Sequence, residues 1–120
     1  MPPSLLTAIA ALLEGVSRKD LALRAARLSA AYRLGGTSVV IAEEADGLAY
    51  LVARMPATLA AIQAVLARAM EVVPGFAPSS FLDVGAGPGT AAWAARERWP
   101  ALGAVHLLEP NPVLGLSPPD

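Results

Sequence analysis

The sequence predicts an α/β fold, in which an N-terminal helical region is followed by a single β-α-β unit. Two observations support this prediction. Apolar residues recur at helical spacing through the first 73 residues, and two short apolar runs separated by a helical segment follow a linker that contains proline and glycine. We therefore divide the chain into a helical region (1–73), a linker (74–79) and the start of an incomplete second domain (80–120).

The ends of the first two helices are marked by capping and stop signals. Pro2–Ser4 is a suitable start for the first helix, and Gly15 is a suitable end. Ser17 is predicted to begin the second helix, with Asp20 completing a capping box, and Gly35–Gly36 is predicted to end it. The apolar stripe of the second helix is expected to pack against Leu48, Leu51, Leu59 and Leu66.

A third helix is predicted from Val39 to Arg54. Leu48, Leu51 and Val52 are expected to face inward, and Glu43, Glu44 and Asp46 to face outward. Gly47 is expected to weaken the helix modestly. Pro56 is expected to break or restart the helix, after which the apolar pattern continues to about Val72.

The second domain is predicted to begin with a strand at Ser80–Val84, a helix from Pro88 to Trp99 and a strand at Ala104–Glu109. Such a unit implies parallel strands joined by a right-handed crossover. Parallel sheets are normally covered on both faces, but the helices available here are expected to cover only one. We therefore interpret the sequence as the front portion of a longer protein.

Composition excludes several classes of protein. Of the 120 residues, 55% are hydrophobic and 16% are charged, so disorder is not expected, and the net charge of −1 gives no general attraction to nucleic acid. The absence of cysteine excludes disulfides, cysteine-ligated zinc and Fe–S clusters within these residues. The longest uncharged stretches have 13 residues, whereas a membrane span needs about 20. We expect a cytoplasmic protein without a membrane span or a signal peptide.

The segment Phe81–Thr90 contains a strand, three glycines and a helix start in the order that a nucleotide-binding turn requires. Gly85 and Gly87 allow a tight turn and a close backbone approach to a ligand, and Gly89 allows close contact between helix and strand. A dinucleotide fingerprint would place its third glycine at position 90, where this chain has threonine. A purely structural turn remains the alternative.

Two carboxylates, Asp83 and Glu109, are candidate cofactor-binding groups. Asp83 lies at the end of the first strand, where it would repel a pyrophosphate and attract an ammonium or sulfonium group. Glu109 closes the second strand, where a carboxylate can accept hydrogen bonds from both ribose hydroxyls. Because NAD sites share this geometry, Glu109 supports adenosine binding without choosing the cofactor, whereas Asp83 and the glycine spacing favour S-adenosylmethionine. The predicted cofactor-binding residues are Asp83, Gly85, Ala86, Gly87, Gly89 and Glu109; no catalytic residue and no metal site is recognisable.

Residues Leu82–Thr90 and the acidic strand end resemble motif I and the following strand of class I methyltransferases. Together with Leu13–Ala22 and Ala31–Arg33, they resemble the small-ribosomal-subunit methyltransferase-like family of bacteria and mitochondria, from about Leu13 to Leu114. The resemblance implies a Rossmann-like class I methyltransferase fold, truncated here. It also implies association with the small ribosomal subunit, in its assembly or in translation, with rRNA as a partner and neither DNA nor membrane.

Catalysis itself stays open, because the activity of this family is not securely established, and the 120-residue chain alone is expected to be inactive. The family's cysteine ligands for a metal or Fe–S centre would lie downstream of this chain. A non-catalytic assembly factor that uses the fold as an RNA- or protein-binding scaffold is the main alternative, and an NAD-dependent oxidoreductase fragment is a weaker one.

Five cations of the second helix are candidate RNA contacts or a solvated surface: Arg18, Lys19, Arg24, Arg27 and Arg33.

Three further side chains are expected to pack rather than to take part in chemistry. His106 alternates with apolar neighbours in a predicted strand, so we expect it in the core or on a sheet face. Trp93 and Trp99 are expected to pack the helix against the sheet rather than to stack on bases.

Overall fold

The structure is a computed structural model that describes residues 1–36 and 41–114. These residues form four helices and two parallel strands, which is the predicted mixed α/β arrangement. In chain order the elements are α1 (Pro3–Leu13), α2 (Arg18–Arg33), α3 (Glu44–Val72), β1 (Ser80–Val84), α4 (Thr90–Arg98) and β2 (Ala104–Leu108).

The ends of α1 and α2 are where the sequence predicts them. Ser17 Oγ accepts a hydrogen bond from the Asp20 backbone N–H at 3.1 Å and so caps α2. Gly15 and Gly35 follow the two helices with φ of +75° and +84°, the left-handed conformation that glycine adopts without strain. A reciprocal capping box forms at the start of α3, between Glu43 and Asp46.

The third helix differs from its prediction at the start and in the middle. Glu43 is its N-cap, so the predicted start at Val39 is wrong, and Val39 itself lies outside the described residues. Pro56 does not interrupt the helix, which runs through it to Val72. Met55 and Leu59, on either side of the proline, are buried, and this packing outweighs the roughly 3 kcal/mol that an interior proline costs.

Asp46 does not face outward as predicted: it is buried, and its carboxylate joins α2 to the start of α3. The inward prediction for Val52 is also wrong, since this side chain is 37% exposed. Asp46 is 1% exposed, and its Oδ1 accepts hydrogen bonds from Arg24 (2.9 Å) and from Arg27. Its Oδ2 accepts from the backbone N–H groups of Ala42 (3.3 Å) and Glu43 (3.1 Å). Burial by itself raises the pKa of the Asp46 carboxyl, but the hydrogen bonds from Arg27 and Arg24 outweigh burial and lower the pKa to about 2.

Two apolar clusters form the core, and α3 contributes to both. The first, which we call the α2–α3 cluster, contains Leu21, Leu28, Ile41, Leu48, Ala49 and Leu114. The second, the α1–α4 cluster, contains Leu5, Leu51, Met55, Leu59 and Ala94. Each cluster therefore includes one residue that lies after β1 in the chain, so the helices and the β-α-β unit share their core.

The tryptophans pack, but not against the sheet as predicted. Trp93 lies against the α1–α4 cluster, because the α4 face that carries Ala94 is turned towards α3. Trp99 contacts Phe76 edge-to-face, with 5.6 Å between the ring centroids.

The two strands pair in the register Ser80 to Ala104 through Val84 to Leu108. Side chains on one face, such as Leu107, are half-buried on the side of α4. On the other face Leu82, Val84 and Leu108 are 62%, 73% and 54% exposed. This agrees with the expectation that only one face finds cover. His106 lies on this open face and is exposed, so of its two predicted places the sheet face is observed and the core is not.

The helix α3 is long and apolar enough, by length and composition alone, to cross a bilayer. The length of the uncharged stretches does not predict this. The few charged residues of the 29-residue helix interrupt those stretches but leave its mean hydropathy high. Of its apolar window, 28% is buried inside the fold. Since core helices of soluble proteins meet the same criteria, the observation is weak evidence for a span.

The first testable prediction concerns Asp46. We expect Asp46→Ala to lower the free energy of unfolding by about 3 kcal/mol, because two arginines and two backbone N–H groups lose their shared acceptor. Chemical denaturation at neutral pH measures this. The matched control is Glu71→Ala, which removes an exposed carboxylate paired with Arg68 at 2.6 Å and should lower stability by less than about 1 kcal/mol.

The pH dependence checks the same interaction. A carboxyl whose pKa is lowered on folding stabilises the fold above its unfolded pKa, and this stabilisation is lost as the pH falls through about 2. The difference between wild type and Asp46→Ala should therefore shrink between pH 4 and pH 2. Equal losses for Asp46→Ala and Glu71→Ala at neutral pH would show that the Asp46 network contributes no more than a surface ion pair.

Candidate functional site

The candidate site is built around the turn that connects β1 to α4. Gly85, Gly87 and Gly89 have φ of +77°, +57° and +85°, so every second residue of the turn is in the left-handed region. A Cβ added to Gly85 or Gly87 would meet no heavy atom within 4 Å. The backbone of these two residues therefore faces open space beside the N-terminus of α4.

The turn is fixed to the second strand by backbone hydrogen bonds. The N–H groups of Gly85 and Ala86 both donate to the Leu108 carbonyl oxygen, at 2.7 and 3.1 Å. At the other end of the turn, a Cβ on Gly89 would lie 3.5 Å from Leu107 Cδ1. Gly89 thus lies at the close contact between helix and strand that the sequence predicts for it.

The two predicted acids lie at the same edge of the sheet. Asp83 is in β1, in register with Leu107, and Glu109 follows β2 directly. Both side chains are half-buried. Burial raises the pKa of the Asp83 carboxyl, and the negative charge of Glu109 raises it further. The structure therefore brings together all six predicted cofactor-binding residues, on one turn and on the two strand ends beside it.

Glu109 has partners that the sequence did not predict. Its Oε1 accepts a hydrogen bond from the Gly87 N–H at 2.7 Å, and its Oε2 accepts one from the Asn111 N–H at 2.8 Å. One carboxylate thus connects the glycine turn to the chain that leaves β2. Because charge-assisted hydrogen bonds are stronger than neutral ones, this contact helps to shape the turn.

Asn111 is a site residue that sequence reasoning missed. Its Nδ2 donates to the Ile41 carbonyl oxygen at 2.9 Å, and its Oδ1 accepts from the Val113 N–H at 3.0 Å. The available signal is its place between Pro110 and Pro112, directly after the acidic strand end, a pattern that by itself predicts only a turn.

Gly47 has a role that its helix propensity does not reveal. A Cβ at this position would lie 2.8 Å from Val113 Cγ1 and 2.9 Å from the Val113 carbonyl oxygen. The glycine in α3 therefore lets the segment after β2 approach the helix, next to the buried Leu114 of the α2–α3 cluster.

Two of the five candidate RNA-contacting cations are bound within the fold. Arg24 contacts Asp20 (2.9 Å), Glu43 (3.1 Å) and Asp46, and Arg27 contacts Asp46. These contacts favour a structural role for both arginines over an RNA contact.

The described residues thus form a β-α-β unit with a turn of left-handed glycines and an acid near the end of each strand, in the same order of elements as nucleotide-binding units. The family model described as mitochondrial small ribosomal subunit Rsm22 matches residues 44–116, more than half of the chain. The chain belongs to this family. The match includes α3 and the whole candidate site, whereas Leu13–Ala22 and Ala31–Arg33 lie outside it. Searches of curated proteins and of solved structures find no match.

The second testable prediction concerns Asp83. A carboxyl whose pKa is raised on folding destabilises the fold increasingly as the pH rises through that pKa, because the folded state then has to release the proton that it favours. We expect Asp83→Asn to raise the free energy of unfolding at pH 7 by up to about 1 kcal/mol, with the gain vanishing below about pH 4. Thermal unfolding across this pH range measures it. A loss of stability at pH 7 would contradict the assignment.

Proposed function

We propose that the chain forms the S-adenosylmethionine-binding part of a methyltransferase-like protein that associates with the small ribosomal subunit. One observation supports the choice of cofactor. A G-x-G-x-G turn, with its glycines in the left-handed conformation, lies between two carboxylates at the ends of parallel strands. The family description supports association with the small subunit.

The residues present fit this cofactor. The open sides of Gly85 and Gly87 leave room for a ligand against the backbone. The half-buried Asp83 carboxylate suits an ammonium or sulfonium group and makes a pyrophosphate beside it unfavourable. An ionised carboxylate has about four acceptor positions, so Glu109 can accept from ribose hydroxyls while it keeps the Gly87 N–H. When bound, S-adenosylmethionine supplies a methyl group already activated on its sulfonium.

The proposed contact with rRNA is more limited than the sequence suggested. Because Arg24 and Arg27 are held by carboxylates, we assign any RNA contact on α2 to Arg18, Lys19 and Arg33. The methyl acceptor and the groups that would orient it are not assigned to any residue here.

A non-catalytic scaffold is the second candidate function. It is favoured by the partners of Glu109, since both carboxylate oxygens already hold backbone N–H groups of the chain itself. In this case the glycine turn and its acids maintain a binding surface for the small subunit without a cofactor.

The third testable prediction separates cofactor binding from loss of fold. We expect Gly87→Val to abolish measurable binding of S-adenosylmethionine, because a β-branched side chain fills the open side of the turn and resists φ of +57°. The matched control is Gly15→Val, which imposes similar strain at φ of +75°, also in open space, but lies at the end of α1. It should bind like wild type.

NMR titration at millimolar ligand measures this binding, because it detects weak complexes. Glu109→Ala should weaken S-adenosylmethionine by roughly 1.5–3 kcal/mol, the range for a hydrogen bond to a charged group. If NADH shifted the glycine resonances and S-adenosylmethionine did not, the cofactor assignment would be wrong.

The fourth testable prediction concerns the ribosome. We expect wild-type chain to sediment with isolated small subunits, and Gly87→Val to lose this association if cofactor binding and docking are linked. Retained association of Gly87→Val, with no effect of added S-adenosylmethionine on wild type, would favour the scaffold. Absence of sedimentation for wild type and for Gly15→Val alike would contradict both candidate functions.

A further inference from the structure

We propose that Asn111 is a positioning residue for Glu109, and that it fixes the ribose-binding carboxylate relative to the helical layer. The inference rests on the proposed function, because Glu109 is taken as the group that receives the ribose hydroxyls. It adds a residue outside the glycine turn, together with a physical link between the turn and the entrance to α3.

The link is a chain of three hydrogen bonds. The Gly87 N–H donates to Glu109 Oε1 (2.7 Å), and Glu109 Oε2 accepts from the Asn111 N–H (2.8 Å). The Asn111 side chain then donates to the Ile41 carbonyl oxygen (2.9 Å). The glycine turn is therefore connected to Ile41, which lies 70 positions before Asn111 in the chain. Ile41 is 1% exposed and belongs to the α2–α3 cluster.

Both ends of this link are anchored. Ile41 is held in the core, and on the other side of Asn111 the chain is fixed by Leu114, which is buried in the same cluster. Asn111 Oδ1 also accepts from the Val113 N–H, so the side chain stabilises the turn that returns the chain to α3. The Asn111 backbone N–H consequently has little freedom to move away from Glu109.

The carboxylate of Glu109 is orientated by donors on opposite oxygens. With both in place, rotation about its terminal bond would break at least one charge-assisted hydrogen bond. Without the side-chain hydrogen bonds of Asn111, its backbone N–H can move away from Glu109 Oε2, and the plane of the carboxylate is no longer fixed. Under the proposed function, such positioning would reach a ligand mainly through the ribose hydroxyls that Glu109 would hold.

Asparagine is the residue type that this position requires. Its amide donates to Ile41 and its carbonyl accepts from Val113 at the same time. Aspartate would keep the acceptor but lose the donor, and would place a second negative charge near Glu109. Asn111→Asp therefore tests the donor to Ile41, and Asn111→Ala tests the whole side chain.

The ligand experiment compares S-adenosylhomocysteine with its analogue that lacks both ribose hydroxyls, by NMR titration of the full chain. We expect Asn111→Ala to bind S-adenosylhomocysteine about tenfold more weakly than wild type and to bind the dideoxy analogue equally. Adding Glu109→Gln should cause little further loss. Equal weakening for both ligands would overturn the proposal, because it would indicate a general structural defect. The matched control, Gln63→Ala, removes another amide hydrogen bond (2.8 Å to Glu97) far from the turn and should not change either affinity.

A second measurement needs no ligand and so distinguishes failure of this proposal from failure of the proposed function. The Gly87 amide is protected by Glu109, and we expect it to exchange with solvent about tenfold faster in Asn111→Ala and in Asn111→Asp than in wild type or Gln63→Ala. Unchanged exchange would overturn the positioning role, whatever the cofactor. If exchange increased while wild type bound neither ligand, the positioning of Glu109 would stand and the cofactor assignment would fall.

Discussion

The helix α3 packs into both apolar clusters and so determines where the other elements lie. Leu48 and Ala49 face the α2–α3 cluster, and Leu51, Met55 and Leu59, further along the helix, face the α1–α4 cluster. A single helix therefore carries both halves of the core. The buried Asp46 fixes its start to α2, and Ala94 of α4 fixes the β-α-β unit to its middle. Because the site lies at the ends of α4 and β2, its position follows from how these elements meet α3.

How much the sequence predicted depends on how local each signal is. The strand bounds at Ser80–Val84 are as predicted, and β2 ends one residue before its predicted end, because short apolar runs beside glycines are local signals. The left-handed glycines and the juxtaposition of Asp83 with Glu109 follow from the same local order, since parallel strands bring their carboxyl ends together.

Features decided by distant contacts could not be predicted in this way. The continuation of α3 through Pro56 depends on burial of Met55 and Leu59 against other helices. The hydrogen bonds of Asn111 to Ile41 and the close approach of Val113 to Gly47 join residues far apart in the chain. In sequence terms Gly47 is only a weak point in a helix and Asn111 only a turn residue, and their roles become visible once β2 and α3 are side by side.

The location of the acids also illustrates a tension between stability and binding. Two carboxylates at one sheet edge repel each other, and the raised pKa of Asp83 records the burial and the repulsion together. A fold selected for stability alone gains nothing from this pair, whereas the site that we propose for a cationic ligand with ribose hydroxyls would use both acids. The Gly87 and Asn111 N–H groups donate to the two oxygens of the Glu109 carboxylate.

The open face of the sheet determines which contacts hold the glycine turn. Leu82, Val84 and Leu108 lie exposed on that face, so the described sheet contributes little burial there. We expected the β-α-β unit to be poorly supported for this reason. The structure adds supports on the helical side: Ala94 lies in the α1–α4 cluster, Leu114 lies in the α2–α3 cluster, and Asn111 bonds Ile41. The segments on both sides of the glycine turn are therefore held by contacts with the helical region that precedes them, which explains how a two-stranded sheet can support this turn.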